Sequence, residues 1–152
     1  MSAAASADAF FAALHEAVGG RLFTVTVLDR EAGLAQRVYT SHPETYPVSG
    51  TKPMSQGAWT GMVIERGETF VANTVAEFAI YFPDHALIES LGCKSALNVP
   101  IRDGQVIGTV NVLDREHYFT PEQVKHCQAA IFDRQGALVN VLRRLSVRVM
   151  SP

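Results

Sequence analysis

The feature that most constrains the fold is a pair of adjacent segments in the second half of the chain, KSALNVPIR at 94–102 and QVIGTVNVLD at 105–114. Apolar residues alternate with small or polar ones in both segments, which is typical of β-strands. Asp103-Gly104 separates them, and this dipeptide favours a type I′ hairpin turn. Pro100 lacks a backbone N–H, so we expect it to lie at a sheet edge or a bulge. The sequence therefore predicts an antiparallel hairpin here.

The other elements are predicted from the spacing of apolar residues and from the glycine, proline and capping signals between them. In chain order they are an N-terminal helix ending at Gly19-Gly20, strands at 22–28 and 34–40, a loop at 41–56, a helix at 58–66, a strand at 69–72, a short helical stretch after Asn73 and a helix at 84–91. Ser6 or Asp8 can cap the first helix, and Asn73 can cap the stretch that follows it.

The C-terminal segment predicts a long helix. Thr120 can cap it, Pro121 suits the first helical position, and Gln123 can reach back to the cap. An apolar stripe follows at three- and four-residue steps and is interrupted at 134–135; its members are Val124, Cys127, Ile131, Leu138, Leu142, Leu145 and Val149. A single helix to Met150 would be about 45 Å long. We therefore expect part of it to lie against something other than its own sheet.

Composition and charge bound the class of protein. Hydrophobic residues make up 47% of the chain and charged residues 18%, which is a globular composition. A net charge of -2 offers no excess of cations for nucleic acid. No apolar run is long enough to span a membrane, and the N-terminus lacks the basic start of a signal peptide. We expect one cytoplasmic domain over 1–152, with an α+β fold around an antiparallel sheet.

The chemically reactive residues form no familiar catalytic or metal motif. The five histidines lack metal-ligand spacing, and the two cysteines, Cys93 and Cys127, are not spaced as CxxC. We therefore predict no catalytic residue, no metal and no cofactor.

The stretch LGCKSALNVPIRDGQVIGTVNVLDREHYFTPEQV at 91–124 resembles the GAF domain family. The matching features are a small-residue strand that ends in a proline, a tight hairpin, a VIGxxNV strand and an FTxE opening of the last helix. The helix at 57–65 and the segment ERGETFVAN are also similar, so the resemblance covers nearly the whole chain and fits a stand-alone GAF protein. It implies a central antiparallel sheet of five to six strands. The terminal helices would cover one face and support a homodimer, and short helices and loops would cover a pocket on the other face.

Aromatic and polar residues of the middle segment are the candidates for the pocket. We expect a mostly apolar wall with a few convergent polar groups, as small-molecule sites have. The candidates are Tyr39, Trp59, Phe70, Asn73, Phe78, Tyr81, Phe82, Asp84, His85, Cys93 and Asn111. The alternative for each aromatic residue is that it only fills core beneath the loops.

Several known GAF classes fit the sequence poorly. Cyclic-nucleotide GAF domains carry an Asn-Lys pair where this chain has Asn111-Val112. Bilin-binding domains use a cysteine in a middle helix, whereas His126-Cys127 lies in the final helix. The free methionine-(R)-sulfoxide reductases are the nearest enzymes, but their nucleophile would lie near Glu89 rather than at Cys93.

Three functions stay open at this point. The first is a non-catalytic, homodimeric sensory or regulatory domain that binds a small, partly apolar molecule. The second is a thiol-dependent reductase of the methionine-sulfoxide type, which needs a reactive thiolate and a resolving cysteine. The third is a dimerisation or docking module whose pocket is filled by side chains.

Overall fold

The computed structural model describes residues 3–150, and side chains within 6–145. The six α-helices of this part are α1 (Ala3–Val18), α2 (Ala58–Thr60), α3 (Val75–Ala79), α4 (His85–Ser90), α5 (Pro121–Phe132) and α6 (Gln135–Met150). The strands are β1 (Leu22–Asp29), β2 (Leu34–Thr40), β3 (Lys52–Pro53), β4 (Phe70–Ala72), β5 (Ser95–Asp103) and β6 (Gln105–Asp114). A π-helix, Gly61–Glu65, continues α2.

The strands form one antiparallel sheet in the order β3-β2-β1-β6-β5-β4. The predicted hairpin is present as β5 and β6, and β6 also pairs with β1 at the centre of the sheet. Pro100 lies two residues beyond Asn98, the last β5 residue that pairs with the short edge strand β4. The missing N–H of Pro100 therefore falls at an edge, as predicted. These observations confirm an α+β fold with a six-stranded antiparallel sheet.

Alternating residues of the central strands divide the interior into two cores. On β1, Phe23, Val25 and Val27 face a core that is shared with α1, α5 and α6. On the opposite face, Leu22 and Leu28 belong to a second core beneath the short middle helices. The fold therefore leaves one sheet face for the terminal helices and the other for a separate cover.

The prediction of a single long C-terminal helix is wrong. The chain forms two helices, α5 and α6, separated at Asp133 and Arg134. Leu138 and Leu142 of α6 are fully buried in the core that α6 shares with the sheet. The break lets the second half of the apolar stripe pack on the chain's own strands, so the described stripe does not project beyond the domain. Val149 lies outside the residues whose side chains are described.

Three local predictions also differ from the structure. Ser6 and Asp8 lie inside α1, which begins at Ala3, and so they do not cap it. Thr74, not Asn73, caps α3, because its side chain accepts a hydrogen bond from the backbone N–H of Glu77. The hairpin turn is not type I′, because positive φ values in the described chain occur only at glycines and at His117. Asp103 therefore has a negative φ, and a register shift after Ile101 marks a bulge instead.

Gly108 of β6 lies close to the backbone of the neighbouring strand β1, and a substitution can test this contact. A Cβ at this position would lie 2.5 Å from the carbonyl oxygen of Thr26 and 3.2 Å from Leu142 Cδ1. A backbone atom of a central strand cannot move aside easily, so Gly108→Ala should lower the free energy of unfolding by roughly 1–3 kcal/mol. Urea denaturation of the purified protein measures this change.

Gly136→Ala is the matched control. Gly136 lies in α6, and a Cβ there would meet no atom within 4 Å. Alanine is the better helix former, so this variant should be unchanged or more stable by up to about 1 kcal/mol. Equal effects of the two substitutions would contradict the proposed close contact.

Candidate functional site

A cavity of about 430 Å³ lies between the second face of the sheet and the cover formed by the middle segments. The strands β1, β2, β3, β5 and β6 contribute to its floor and sides. The cover comes from the loop after β2, from α2 with its π-helix, and from the segment that precedes α4. The lining residues are Thr24, Thr26, Leu28, Ala35, Arg37, Tyr46, Lys52, Pro53, Met54, Ser55, Trp59, Thr60, Ile64, Phe82, Pro83, Asp84, Ile88, Asn98, Thr109, Asn111 and Leu113.

Polar side chains on neighbouring strands form the floor in two rows. In one row, Thr24 of β1 lies opposite Asn111 of β6, and Asn111 lies opposite Asn98 of β5. In the other row, Thr26 of β1 lies between Arg37 of β2 and Thr109 of β6. Thr24, Asn98 and Thr109 are each buried.

A chain of side-chain hydrogen bonds connects the cover to this floor. The indole Nε1 of Trp59 donates to Asn98 Oδ1 at 2.9 Å, and Asn98 Nδ2 donates to Asn111 Oδ1 at 2.8 Å. Asn111 Nδ2 then donates to the hydroxyl oxygens of Thr24 and Thr26, at 3.2 and 3.4 Å. Buried polar groups of this kind are costly unless they are paired. The chain therefore satisfies the amides that the sheet buries on this face.

A π-helix and an ion pair hold the Trp59 part of the cover. Arg66 N–H donates to Gly61 O at 3.0 Å, a bond that spans five residues. Val63 and Ile64 of this turn are buried, and Ile64 lines the cavity. Arg30 at the end of β1 donates to Glu65 Oε2 at 2.9 Å. These contacts anchor the π-helix, which directly follows the α2 turn that carries the Trp59 indole.

A second cluster joins three segments at another side of the cavity. The Tyr46 hydroxyl donates to Asp84 Oδ2 at 2.5 Å. The Arg37 guanidinium carbon lies 3.8 Å from the centroid of the Tyr46 ring, and Arg37 Nη1 donates to Pro47 O at 2.8 Å. The cluster ties the loop after β2 both to the sheet and to the segment before α4.

The structure brings four of the candidate residues to the cavity: Trp59, Phe82, Asp84 and Asn111. Three other aromatic candidates support Phe82 from behind. The ring of Phe78 stacks on Phe82 with centroids 5.4 Å apart, and Phe70 contacts both Phe82 and Tyr81. They belong to the second core, together with the buried Cys93.

The remaining candidates lie elsewhere. Tyr39 contacts Phe11 and Phe23 in the core on the opposite sheet face. Residues two apart in a strand normally face the same side of the sheet. A bulge between Tyr39 and Arg37 places these two residues on different faces. Asn73 binds both the N–H and the carbonyl of Phe119, at 2.9 and 3.1 Å, and so fixes the entry to α5. His85 begins α4 and is not among the described residues that line the cavity.

The sequence reasoning missed several polar residues of the cavity. Thr24 and Thr26 of β1 line the cavity, although the sequence analysis does not include them among the candidates. Arg37, Tyr46 and Asn98 also line the cavity. Polar residues at alternate positions usually indicate that one face of an antiparallel sheet lies in water, so the alternation in these strands did not by itself indicate a site.

Both cysteines are poor nucleophiles in this setting. Burial raises the pKa of the Cys93 thiol to about 11, and Asp114 adds to the shift. Burial alone raises the pKa of Cys127 to about 11. The two thiols lie in the two different cores, on opposite faces of the sheet. Within the described residues, no group of three or more His, Cys, Asp or Glu is placed to hold a metal ion.

The family model described as GAF domain matches residues 4–129, and the chain therefore belongs to the GAF domain family. No curated protein matches the sequence. No helix that the structure describes is long and apolar enough to cross a membrane.

Solved structures with the same fold come from several kinds of protein. The GAF domain of a two-component sensor histidine kinase from Bacillus halodurans has 13% identity and a TM-score of 0.69, with 97% of this chain and 98% of that chain covered. The GAF domain of an Acinetobacter phosphoenolpyruvate-protein phosphotransferase has 16% identity and a TM-score of 0.69, with 97% and 85% covered. The type II free methionine-R-sulfoxide reductase from Thermoplasma acidophilum has 15% identity and a TM-score of 0.63, with 93% and 92% covered. At these identities the likeness concerns the fold alone.

The contact between Tyr46 and Asp84 predicts a pH-dependent stability. Burial raises the pKa of Tyr46 above its usual value of 10.0, and the hydrogen bond to Asp84 adds to this. Tyr46→Phe should lower the free energy of unfolding by about 1 kcal/mol at neutral pH. Above pH 10 the unfolded chain loses the phenolic proton while the folded chain keeps it, so the wild-type advantage should shrink as pH rises. Denaturant unfolding across this range measures the difference.

Asp84→Asn supplies the control for the same contact. The double-mutant cycle of Tyr46→Phe and Asp84→Asn should show a coupling of about 0.5–1.5 kcal/mol. A coupling of zero would show that the hydrogen bond does not contribute to stability. A difference between wild type and Tyr46→Phe that is constant with pH would contradict the raised pKa of Tyr46.

Proposed function

We propose that this chain is a sensory or regulatory GAF domain that binds a small, partly apolar molecule in its cavity and does not transform it. The observation that carries the proposal is the cavity itself. Its volume lies within the range of small-molecule sites, about 300–1,000 Å³. Its walls include Trp59, Ile64 and Phe82, and its floor carries the two polar rows. An apolar wall with a few oriented polar groups is the usual composition of such sites.

The cavity also counts against a module whose pocket is filled by side chains. The aromatic residues Phe70, Phe78 and Tyr81 pack behind Phe82 rather than into the cavity. The space between Phe82 and the sheet is therefore available to a ligand.

The thiols count against the reductase alternative. A thiol with a pKa of about 11 is almost wholly protonated at neutral pH, and the thiolate is the reactive form. Cys127 lies on the far side of the sheet from Cys93, so it cannot resolve an intermediate formed there. The two buried free thiols suit the reducing cytoplasm, which we propose as the location.

A thermal-shift screen against metabolites tests the binding proposal. A ligand that binds only the folded state should raise the melting temperature, and the shift should grow with ligand concentration. Ala35→Trp should abolish the shift, because Ala35 lines the cavity and a large side chain there would fill it. Absence of any stabilising compound, or equal shifts in wild type and Ala35→Trp, would contradict binding in this cavity.

Ala76→Trp is the matched control for that substitution. Ala76 is exposed on α3 and is not among the described residues that line the cavity. The shift of a cavity ligand should be unchanged in this variant.

We also propose that the chain forms a homodimer through α1, α5 and α6. Phe132 at the end of α5 is 58% exposed, and Ala9 and Ala137 are exposed on α1 and α6. An exposed aromatic side chain among small apolar residues favours an interface.

Sedimentation velocity should show a dimer that Phe132→Asp weakens by about tenfold or more. Ile80→Asp is the control, since Ile80 is 76% exposed but lies beyond α3 on the other side of the sheet. A monomer at all concentrations would contradict the proposal.

A further inference from the structure

The side chain of Trp59 fixes the direction of every hydrogen bond in the cavity floor. An indole N–H can only donate, so the atom of Asn98 that it meets is the amide oxygen. The amide nitrogen of Asn98 must then face Asn111, which offers its own oxygen in return. The nitrogen of Asn111 is left to donate, and it does so to Thr24 and Thr26.

This direction leaves hydroxyl protons unused at the end of the chain of bonds. The oxygens of Thr24 and Thr26 accept from Asn111, and no described residue accepts a hydrogen bond from either hydroxyl. Among the described residues, no hydrogen bond engages the hydroxyl of Thr109, although this residue is only 2% exposed and lines the cavity. The floor therefore presents hydroxyl groups that the described residues leave free to donate.

The row beside these hydroxyls carries a cation. Arg37 lies directly opposite Thr26 on the adjacent strand, and Thr109 lies opposite Thr26 on the other side. The Tyr46 ring covers one face of the guanidinium, and Nη1 donates to Pro47 O. The N–H groups at the edge of a stacked guanidinium remain able to donate in its plane. Arg37, Thr26 and Thr109 thus form one line of donors across three strands.

The charges that line the cavity favour an anion. Arg37 and Lys52 carry positive charge, and Asp84 is the acidic group among the described lining residues. Asp84 Oδ2 already accepts from Tyr46 and lies 3.8 Å from Arg37 Nη2, so its charge is partly countered. A row of donors next to a cation suits a ligand that supplies oxygen acceptors and negative charge.

We propose that the ligand of this cavity is a small organic acid, with its carboxylate on the Arg37–Thr26–Thr109 row and its apolar body against Trp59, Ile64 and Phe82. This inference rests on the proposed binding function and adds to it the chemical class of the ligand. A carboxylate supplies two acceptor oxygens for the guanidinium and the hydroxyls. The apolar walls reward a hydrocarbon chain or ring attached to it.

The test compares acids with neutral molecules of the same skeleton. The probes are straight-chain, branched and aromatic monocarboxylates and their primary amides, titrated into the wild-type chain by calorimetry. At least one acid should bind about tenfold or more tightly than its amide, since hydrogen bonds to charged groups are the stronger ones. Raising the salt concentration should weaken the acid more than the amide.

Two variants locate the carboxylate. Arg37→Gln should remove the tenfold preference for the acid while leaving amide binding unchanged. Thr109→Val keeps the shape of the side chain and removes the unpartnered hydroxyl, and it should reduce acid binding severalfold. Thr40→Val is the matched control, because Thr40 is also a buried threonine of the sheet but is not among the described residues that line the cavity.

The possible failures are distinguishable. Amides that bind as tightly as their acids would overturn the assignment of an acid and leave the binding function intact. Acid binding that survives in both Arg37→Gln and Thr109→Val would overturn the donor row. If no probe and no metabolite of the thermal-shift screen binds, the binding function itself fails. The comparison in the wild-type chain decides the ligand class even if a variant does not fold.

Discussion

The pairing of β1 with β6 is the interaction on which the rest of the structure depends. These strands lie at the centre of the sheet, and each has its two faces in different surroundings. Their alternation sends valine and phenylalanine to the terminal helices and sends Thr24, Thr26, Thr109 and Asn111 to the cavity. The register of this one pair of strands thus determines which sheet face packs against the terminal helices and which face lines the cavity. A slip of one residue would bring the threonines against α1 and the valines into the cavity.

The parts of this fold that the sequence predicts are those with local signals. The β5–β6 hairpin, β1 and β2 follow from alternation, and Thr120 caps α5 as its TPEQ pattern indicates. The resemblance to GAF domains supplied the order of the layers. What could not be predicted is where regular structure is interrupted by tertiary packing. Three such interruptions are the bulge beside Tyr39, the π-helix after Thr60 and the break before Gln135. Each occurs where a segment packs against residues that are distant in the sequence.

The same distinction separates the predicted from the missed residues of the site. Trp59 and Asn111 were chosen individually, one as an aromatic wall and one as a polar anchor. The residue that connects them, Asn98, sits 39 residues from the indole to which it binds. No spacing rule indicates such a bond, because it arises only when the cover helix lies over the sheet. Asn73 shows the converse error, since an asparagine that suits a binding site instead holds the backbone of Phe119.

The bond from Trp59 to Asn98 makes the cavity floor dependent on its cover. If the indole moved away, Asn98 would lose the donor that fixes its amide, and the orientation of Asn111 would no longer be determined. The hydroxyls of Thr24 and Thr26 could then accept or donate in either sense. A ligand that needs these hydroxyls as donors therefore binds best when the cover is in place, and by linkage it stabilises the cover in that position.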